Sequence, residues 1–308
     1  MTSHDVVGRV RKALGERRVG HSGTLDPDAT GVLVVGVGNA TRLLRFVDAL
    51  GGSGTSVEAL DTSKSYTADV VLGTETSSLD ASGDVVAEFD MGSVVDGIAT
   101  PEGRARLEVL IAENLTGTIM QTPPMVSAIR VDGRRLHELA REGVEVEREA
   151  RPVTVHSFRV TDVRGPVVSI DVDCSSGTYV RSLGESLGRL LGGGAHIRNL
   201  RRTAVGAFTE ADAVSLDDVS IERLRPLTDC VRALTRVDVD EDTARRIGLG
   251  QVLPDTVFST SGRPPWAVVA ASDGSLLAVY ELFDGHRIGG QPVVGRFARP
   301  VVVIAQNP

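Results

Sequence analysis

Between Val168 and Leu190 the spacing of apolar residues changes once. Val168, Ile170, Val172 and Cys174 recur at every second position, as in a strand with one buried face. Val180, Leu183, Leu187 and Leu190 then recur at every third or fourth, as along one side of a helix. Only Ser175-Ser-Gly-Thr178 separates the two patterns. The chain therefore holds both a strand with one buried face and an amphipathic helix. Neither an all-helical nor an all-strand architecture suits this chain.

The remaining punctuation fills in the order of elements. Thr2 and Asp5 have capping-box spacing, Val7, Val10 and Leu14 follow at helical intervals, and Gly15 is placed to close that helix. A loop from Gly20 to Gly31 leads into an apolar strand at Val32–Val37. Leu43, Leu44, Val47 and Leu50 then predict a helix from about Asn39 to Leu50. Gly51-Gly-Ser-Gly-Thr55 has the composition of a flexible insertion. Tyr66, Ala68 and Val70 alternate as a strand, and Thr100-Pro101 starts a helix carrying Leu107, Leu110, Ile111 and Leu115. Val126–Val131 reads as a strand with a turn at Asp132-Gly133, followed by a helix bearing Leu136, Leu139 and Ala140. After Arg202 come short strands and an acidic linker, Asp212–Asp218. Strands at Trp266–Ala271, Leu276–Tyr280 and Val301–Ile304 give a compact β-rich tail. The irregular alternation, with hairpin signals, predicts an α+β fold.

The 308 residues suit one large domain and a smaller one, and no apolar run reaches the 18 or more residues of a membrane span. The N-terminus has no apolar secretory segment, and Cys174 and Cys230 form neither a disulfide framework nor a CxxC zinc pattern. The expected compartment is the cytoplasm. A net charge of -8 argues against nucleic acid only if charge is evenly spread, and it is not. Residues 61–100 hold -7, whereas 1–60 hold +1 and 151–210 hold +3. Lys12 and Lys64 are the only lysines, so the positive charge is almost all arginine, whose planar fork suits phosphates and bases.

Two segments could carry chemistry. Gly20-His-Ser-Gly-Thr-Leu-Asp-Pro27 puts Asp26 on a loop with a restrained backbone. There the carboxylate serves as a nucleophile or as an Asx-turn residue ahead of Pro27. Cys174-Ser-Ser-Gly-Thr-Tyr-Val-Arg181 puts Tyr179 and Arg181 at the start of a helix. A buried Arg181 needs an anion, for which Asp26 is a candidate; an exposed one would pair with Glu185 at i,i+4. Tyr66 reads as a core or a functional tyrosine, and Arg201-Arg202 as phosphate contacts or a solvated pair. Asp26-Pro-Asp-Ala-Thr30 also fits the DxDxT of aspartyl-phosphate phosphatases, but that motif follows a buried strand, and Gly20–Leu25 is glycine- and hydroxyl-rich.

The run Arg18-Val-Gly-His-Ser-Gly-Thr-Leu-Asp-Pro-Asp-Ala-Thr-Gly-Val-Leu33 closely resembles the tRNA pseudouridine synthase B (TruB) family. Lys64-Ser-Tyr66, Leu72–Thr76, Asp80–Gly83, Gln121-Thr-Pro-Pro124 and Ser127–Ile129 follow in the family's order. So do Gly133–Arg141, Cys174–Arg181, Leu200–Arg202 and Gly206–Phe208. The resemblance implies a pseudouridine-synthase catalytic fold over 1–230, a mixed and largely antiparallel sheet flanked by helices. It implies a small PUA-like RNA-binding domain over 231–308. It implies isomerisation of uridine 55 in the tRNA T-loop by a standalone, monomeric enzyme with no metal and no organic cofactor. Asp26 matches the family's nucleophile, Tyr66 the tyrosine stacked on the target base, and Arg181 the arginine paired with the aspartate. Tyr179 and Leu200 match pocket positions, and His21 a histidine that holds the target nucleotide out of its loop. Arg201 and Arg202 are expected to contact phosphate. A non-catalytic tRNA chaperone using the same surface is the second reading.

The chain also departs from the family. Members begin with a strand and a Lys-Pro-x-Gly segment ahead of Thr2, so either the start codon is assigned too late, which is the expected explanation, or the first strand is missing and folding is impaired. Residues 51–63 lengthen a short connection, and Val126, Arg130 and His137 replace the usual aromatic residue, lysine and tyrosine.

Overall fold

A computed structural model describes residues 1–51, 56–57, 60–127, 130–131, 133–136, 139, 142–144, 146–283 and 295–304. The chain divides into two compact units interleaved in sequence: Met1–Pro27, Val32–Ser63 and Val205–Pro308 form one, and Asp28–Gly31 with Lys64–Ala204 the other.

In the first unit the N-terminal signals work as the sequence predicts. Helix α1, Ser3–Leu14, opens with a two-way capping box between Thr2 and Asp5 and closes on Gly15 at φ 65°. Strand β1, Val19–His21, follows. Thr30–Gly31 forms β2, which belongs to the second unit, and Val35–Val37 forms β3, antiparallel to β1. The helix expected over 39–50 does not form. Two 3-10 turns, Gly38–Arg42 and Leu44–Phe46, lead instead into extended backbone at Ala49–Gly51. Leu43 and Phe46 are buried three apart, the 3-10 spacing, and Leu50 is 54% exposed. Much of the 51–63 insertion, at 52–55, 58 and 59, lies outside the described residues.

The second unit is built on one sheet. Lys64–Leu72 is β4, and Thr74–Thr76 and Val85–Glu88 are a small hairpin, β5 and β6. Helices α2, Gly92–Ile98, and α3, Pro101–Asn114, come next; Thr100 caps α3 through the Gly103 N–H, with Pro101 in its first turn. Strands β7, Gly117–Gln121, β8, Arg151–Arg164, and β9, Val167–Cys174, lead to helix α4, Val180–Leu190, and strand β10, Ala195–Val205. Strand order is β10–β4–β9–β8–β7, with β2 added parallel to β10, while β4, β9, β8 and β7 pair antiparallel. Of the strand expected at 126–131, Arg130–Val131 is a strand and Val126 sits in an exposed bend. Gly133 of the expected turn takes φ 80°, and Leu136 and Leu139 of the expected helix are buried, while residues 128, 129, 132, 137, 138, 140 and 141 lie outside the described residues.

The alternation at 168–174 is borne out: Val168, Ile170, Val172 and Cys174 are all buried. They join Ala68, Val70, Leu107, Ile111, Leu183, Leu187 and Ile197 in the main core. Each such aliphatic side chain contributes about 1.5–3 kcal/mol by leaving water. Helix α4 lies close on β10 because Gly184 and Gly188 face it. A Cβ on Gly184 would lie 2.4 Å from Cγ2 of Ile197, and one on Gly188 2.6 Å from Cβ of Ala195.

Beyond 205 the first unit resumes. Thr235–Val239 is β11, Glu241–Gly248 is α5, Leu253–Pro254 is β12, Trp266–Ala270 is β13, Leu276–Phe283 is β14 and Phe297–Val303 is β15. They form one sheet in the order β11–β13–β14–β15–β12. Its core stacks Phe258 on Trp266 at 5.0 Å beside Tyr280. Both classes of element, segregated rather than regularly alternating, make the fold α+β.

Candidate active site

Asp26 lies on an irregular, half-buried loop between β1 and β2. Its neighbours are pinned: the Leu25 N–H donates to Oγ of buried Ser3 at 3.0 Å, and the Ser22 N–H donates to the Val34 carbonyl at 3.0 Å. Gly23 takes φ 85°, which only glycine adopts cheaply. His21 ends β1, opposite Val35. Both His21 and Asp26 belong to the first unit.

The second unit carries the other residues singled out from sequence, Tyr66, Tyr179, Arg181, Leu200, Arg201 and Arg202. Tyr66 stands on β4 opposite Val172 of β9. Tyr66 and Leu200 are partly buried against the main core, to which Val180 also belongs. Tyr179 is the N-cap of α4, and Arg181 follows in the first turn.

Arg181 is 2% exposed, which rules out the surface pair with Glu185; that carboxylate accepts instead from Arg189 at 2.6 Å. The Arg181 guanidinium donates to the carbonyls of Ser78 and Val126, each at 2.8 Å, and lies 3.7 Å from a carboxylate oxygen of Asp80. Burial works to raise the Asp80 pKa. Hydrogen bonds from the Ser78 and Ser82 hydroxyls and the Ser82 N–H, together with the Arg181 charge, outweigh it and hold the group below the usual carboxylate value. Asp80 was missed as an Arg181 partner in the sequence, although Ser78-x-Asp80-x-Ser82 signals a carboxylate bound by its neighbours. Leu79, between the two Arg181 contacts, has φ 62°, a left-handed conformation uncommon for leucine.

Arg201 and Arg202 separate. Strand alternation leaves Arg201 exposed, donating to the Thr30 hydroxyl at 3.0 Å, and turns Arg202 inward, where it is 1% exposed. An interior Arg202 is neither the expected surface phosphate contact nor a solvated partner of Arg201. β10 as a whole went unread in the sequence, so this inside–outside assignment was not available there. Among the described residues, no group of three or more His, Cys, Asp or Glu side chains could hold a metal ion. No helix among them is long and apolar enough to cross a membrane.

This architecture is found in solved structures. A Cbf5–Nop10–Gar1 complex has a chain matching 91% of this one and 74% of its own length, at TM-score 0.63 and 25% identity. An H/ACA RNP bound to a substrate RNA matches 99% and 82%, at TM-score 0.65 and 21% identity. The fold is that of the pseudouridine synthases. More narrowly, residues 11–180 match the TruB family pseudouridylate synthase N-terminal domain, and 181–236 the tRNA pseudouridylate synthase B C-terminal domain. Curated relatives named tRNA pseudouridine synthase B include those of Rhodococcus jostii (strain RHA1) and Arthrobacter sp. (strain FB24). They are 46% and 41% identical over 99% of this chain, and the matches cover 90% and 94% of their own lengths. The chain belongs to the TruB family of pseudouridylate synthases and is an enzyme.

Proposed function

We propose that the enzyme converts uridine 55 in the T-loop of tRNA to pseudouridine, acting in the cytoplasm as a monomer without metal or cofactor. The observation that carries the reading is its likeness, along nearly the whole chain, to relatives named for tRNA pseudouridine synthesis. In this reading Asp26 is the nucleophile, the base leaves its ribose, turns, and rejoins through carbon. Tyr66 stacks on the extruded base, Tyr179 and Leu200 wall the pocket, and His21 holds the nucleotide out. Stacking offsets part of the few kcal/mol needed to unstack a base.

What supports Asp26 is its place on a loop whose backbone is pinned just before it, at Ser22 and Leu25, which limits the directions the carboxylate can take. In the substrate complex Arg181 is its electrostatic partner. What supports Arg181 is a guanidinium held in the interior by two carbonyls and Asp80, so its charge is fixed and little screened. Arg201 supplies a phosphate contact, which makes binding weaken as salt rises. We assign 1–230 to the catalytic module and 231–308 to a PUA-like RNA-binding module; in support, the five strands from Thr235 to Val303 pair among themselves in one sheet.

Asp26→Asn separates catalysis from binding. The expected result is tRNA affinity within about threefold of wild type and no pseudouridine. A fully active Asp26→Asn enzyme refutes the nucleophile, and tRNA refolding activity without product from wild type favours the chaperone.

A further inference from the structure

Tyr179 is gripped from two adjacent strands. Gln121, the last residue of β7, is buried, and its side-chain amide meets the Tyr179 main chain twice. Its Oε1 accepts from the Tyr179 N–H at 2.7 Å, and its Nε2 donates to the Tyr179 carbonyl at 3.1 Å. Directly opposite Gln121 in the β7–β8 ladder stands Arg151. Its guanidinium carbon lies 5.4 Å from the centre of the Tyr179 ring, and it donates to the Gly177 carbonyl at 2.8 Å. The turn between them is stitched to β8 as well, by a two-way bond between Thr154 and Ser175.

A side-chain amide both accepts and donates across this spacing; a carboxylate only accepts, and an aliphatic chain does neither. Because Gln121 is buried, any shift of Tyr179 leaves polar groups unpaired where water does not replace the lost partners. Tyr179 caps α4 without a side-chain cap of its own, so this external grip fixes where the helix starts. We propose that Gln121, aided by its cross-strand partner Arg151, is a positioning residue that sets the Tyr179 ring for the target base. The proposal rests on the reading of Tyr179 as a wall of the base pocket.

Two readouts on the full chain test it. The chain has three tyrosines, so protein labelled with 3-fluorotyrosine gives three fluorine resonances, each assigned with a Tyr→Phe variant. Gln121→Leu is expected to shift or broaden the Tyr179 resonance and leave that of Tyr280 unchanged. On a T-arm RNA hairpin with enzyme in excess, it is expected to lower the single-turnover rate about 10- to 100-fold. RNA affinity is expected to stay within about threefold, placing the loss in the chemical step. Arg151→Leu, which leaves the backbone grip intact, is expected to move the same resonance with a smaller loss of rate, and it carries the test if Gln121→Leu does not fold. An unmoved Tyr179 resonance, or a rate within twofold of wild type, overturns the proposal. If the wild-type enzyme makes no pseudouridine, the proposed function fails and the fluorine spectra alone decide whether the grip exists.

Discussion

Gly31→Ala probes a close backbone approach between two strands of the second unit. Gly31 has φ 99° and pairs with Arg202 where β2 meets β10. A Cβ there would lie 2.1 Å from the Arg202 carbonyl oxygen and 2.9 Å from its carbonyl carbon. Ordinary contact needs about 3.5 Å, so β2 must retreat by more than about 1 Å. That distance breaks the pairing of Thr30 and Gly31 with β10, worth about 1 kcal/mol for each bond lost. If β2 instead stays paired, alanine pays about 1–3 kcal/mol for the positive φ and keeps the overlap. Either route costs about 2–4 kcal/mol, a large share of the roughly 5–15 kcal/mol that holds a domain together. Denaturant unfolding followed by circular dichroism measures the loss, and single-turnover kinetics measures its effect on the loop that begins at Gly20 and ends in β2. The expected result is a lower midpoint with unchanged slope and a rate reduced at least tenfold. A variant within 0.5 kcal/mol of wild type (about that uncertainty applies to any distant surface change) refutes the steric reasoning.

Asp80→Asn keeps acceptors for Ser78 and Ser82 and removes the charge 3.7 Å from Arg181. The expected cost is about 1–2 kcal/mol at pH 7, below the bare Coulomb attraction because Asp80 is partly solvated. Against burial, Ser78, Ser82 and Arg181 hold the folded pKa of Asp80 below the usual carboxylate value, so the carboxylate's contribution is complete above that ordinary value and is lost as pH falls through the lower, folded one. Acid titrations of stability should therefore converge for wild type and Asp80→Asn once pH falls below that lowered value, and curves that stay parallel throughout would contradict the assignment. Burial pushes the Cys174 thiol up to about 12 and the Cys230 thiol up to about 11. Buried Cys174 and half-buried Cys230 are both expected to react slowly with a disulfide reagent at pH 8 in the native protein and fast in guanidinium; rapid native labelling would refute the raised thiols.

Much of the second unit was legible because its signals are local. The 168–174 alternation and the turn at 175–178 fold as they read. Val180, Leu183 and Leu187 face the core, while Leu190, expected beside them, is 37% exposed. Thr100 and Pro101 start a helix where expected, as Thr2 and Gly15 bound one in the first unit. The 14-residue strand β8 escaped notice because its pairing shifts register between Val155 and Ser157, which interrupts the alternation of buried positions. β10 hid for a related reason: Asn199 takes φ 55° within it, and the polar run from Arg198 to Arg202 masks its inward residues. The segment 39–50 read as a helix because buried residues three apart satisfy a 3-10 turn and an α-helix alike. At the site, residue identity was legible and orientation was not. Sequence adjacency placed Arg201 and Arg202 together, whereas the strand sends one to the surface and the other to the interior. The Asp80 contact with Arg181 spans 101 residues of chain and required the fold.

The most direct test of the central claim is a map of pseudouridine in an unmodified tRNA transcript after incubation with the enzyme alone, read by carbodiimide labelling and primer extension. The expected result is a single new stop reporting position 55, absent when Asp26→Asn replaces wild type. Conversion at another uridine, or none with folded enzyme that binds the transcript, would contradict it.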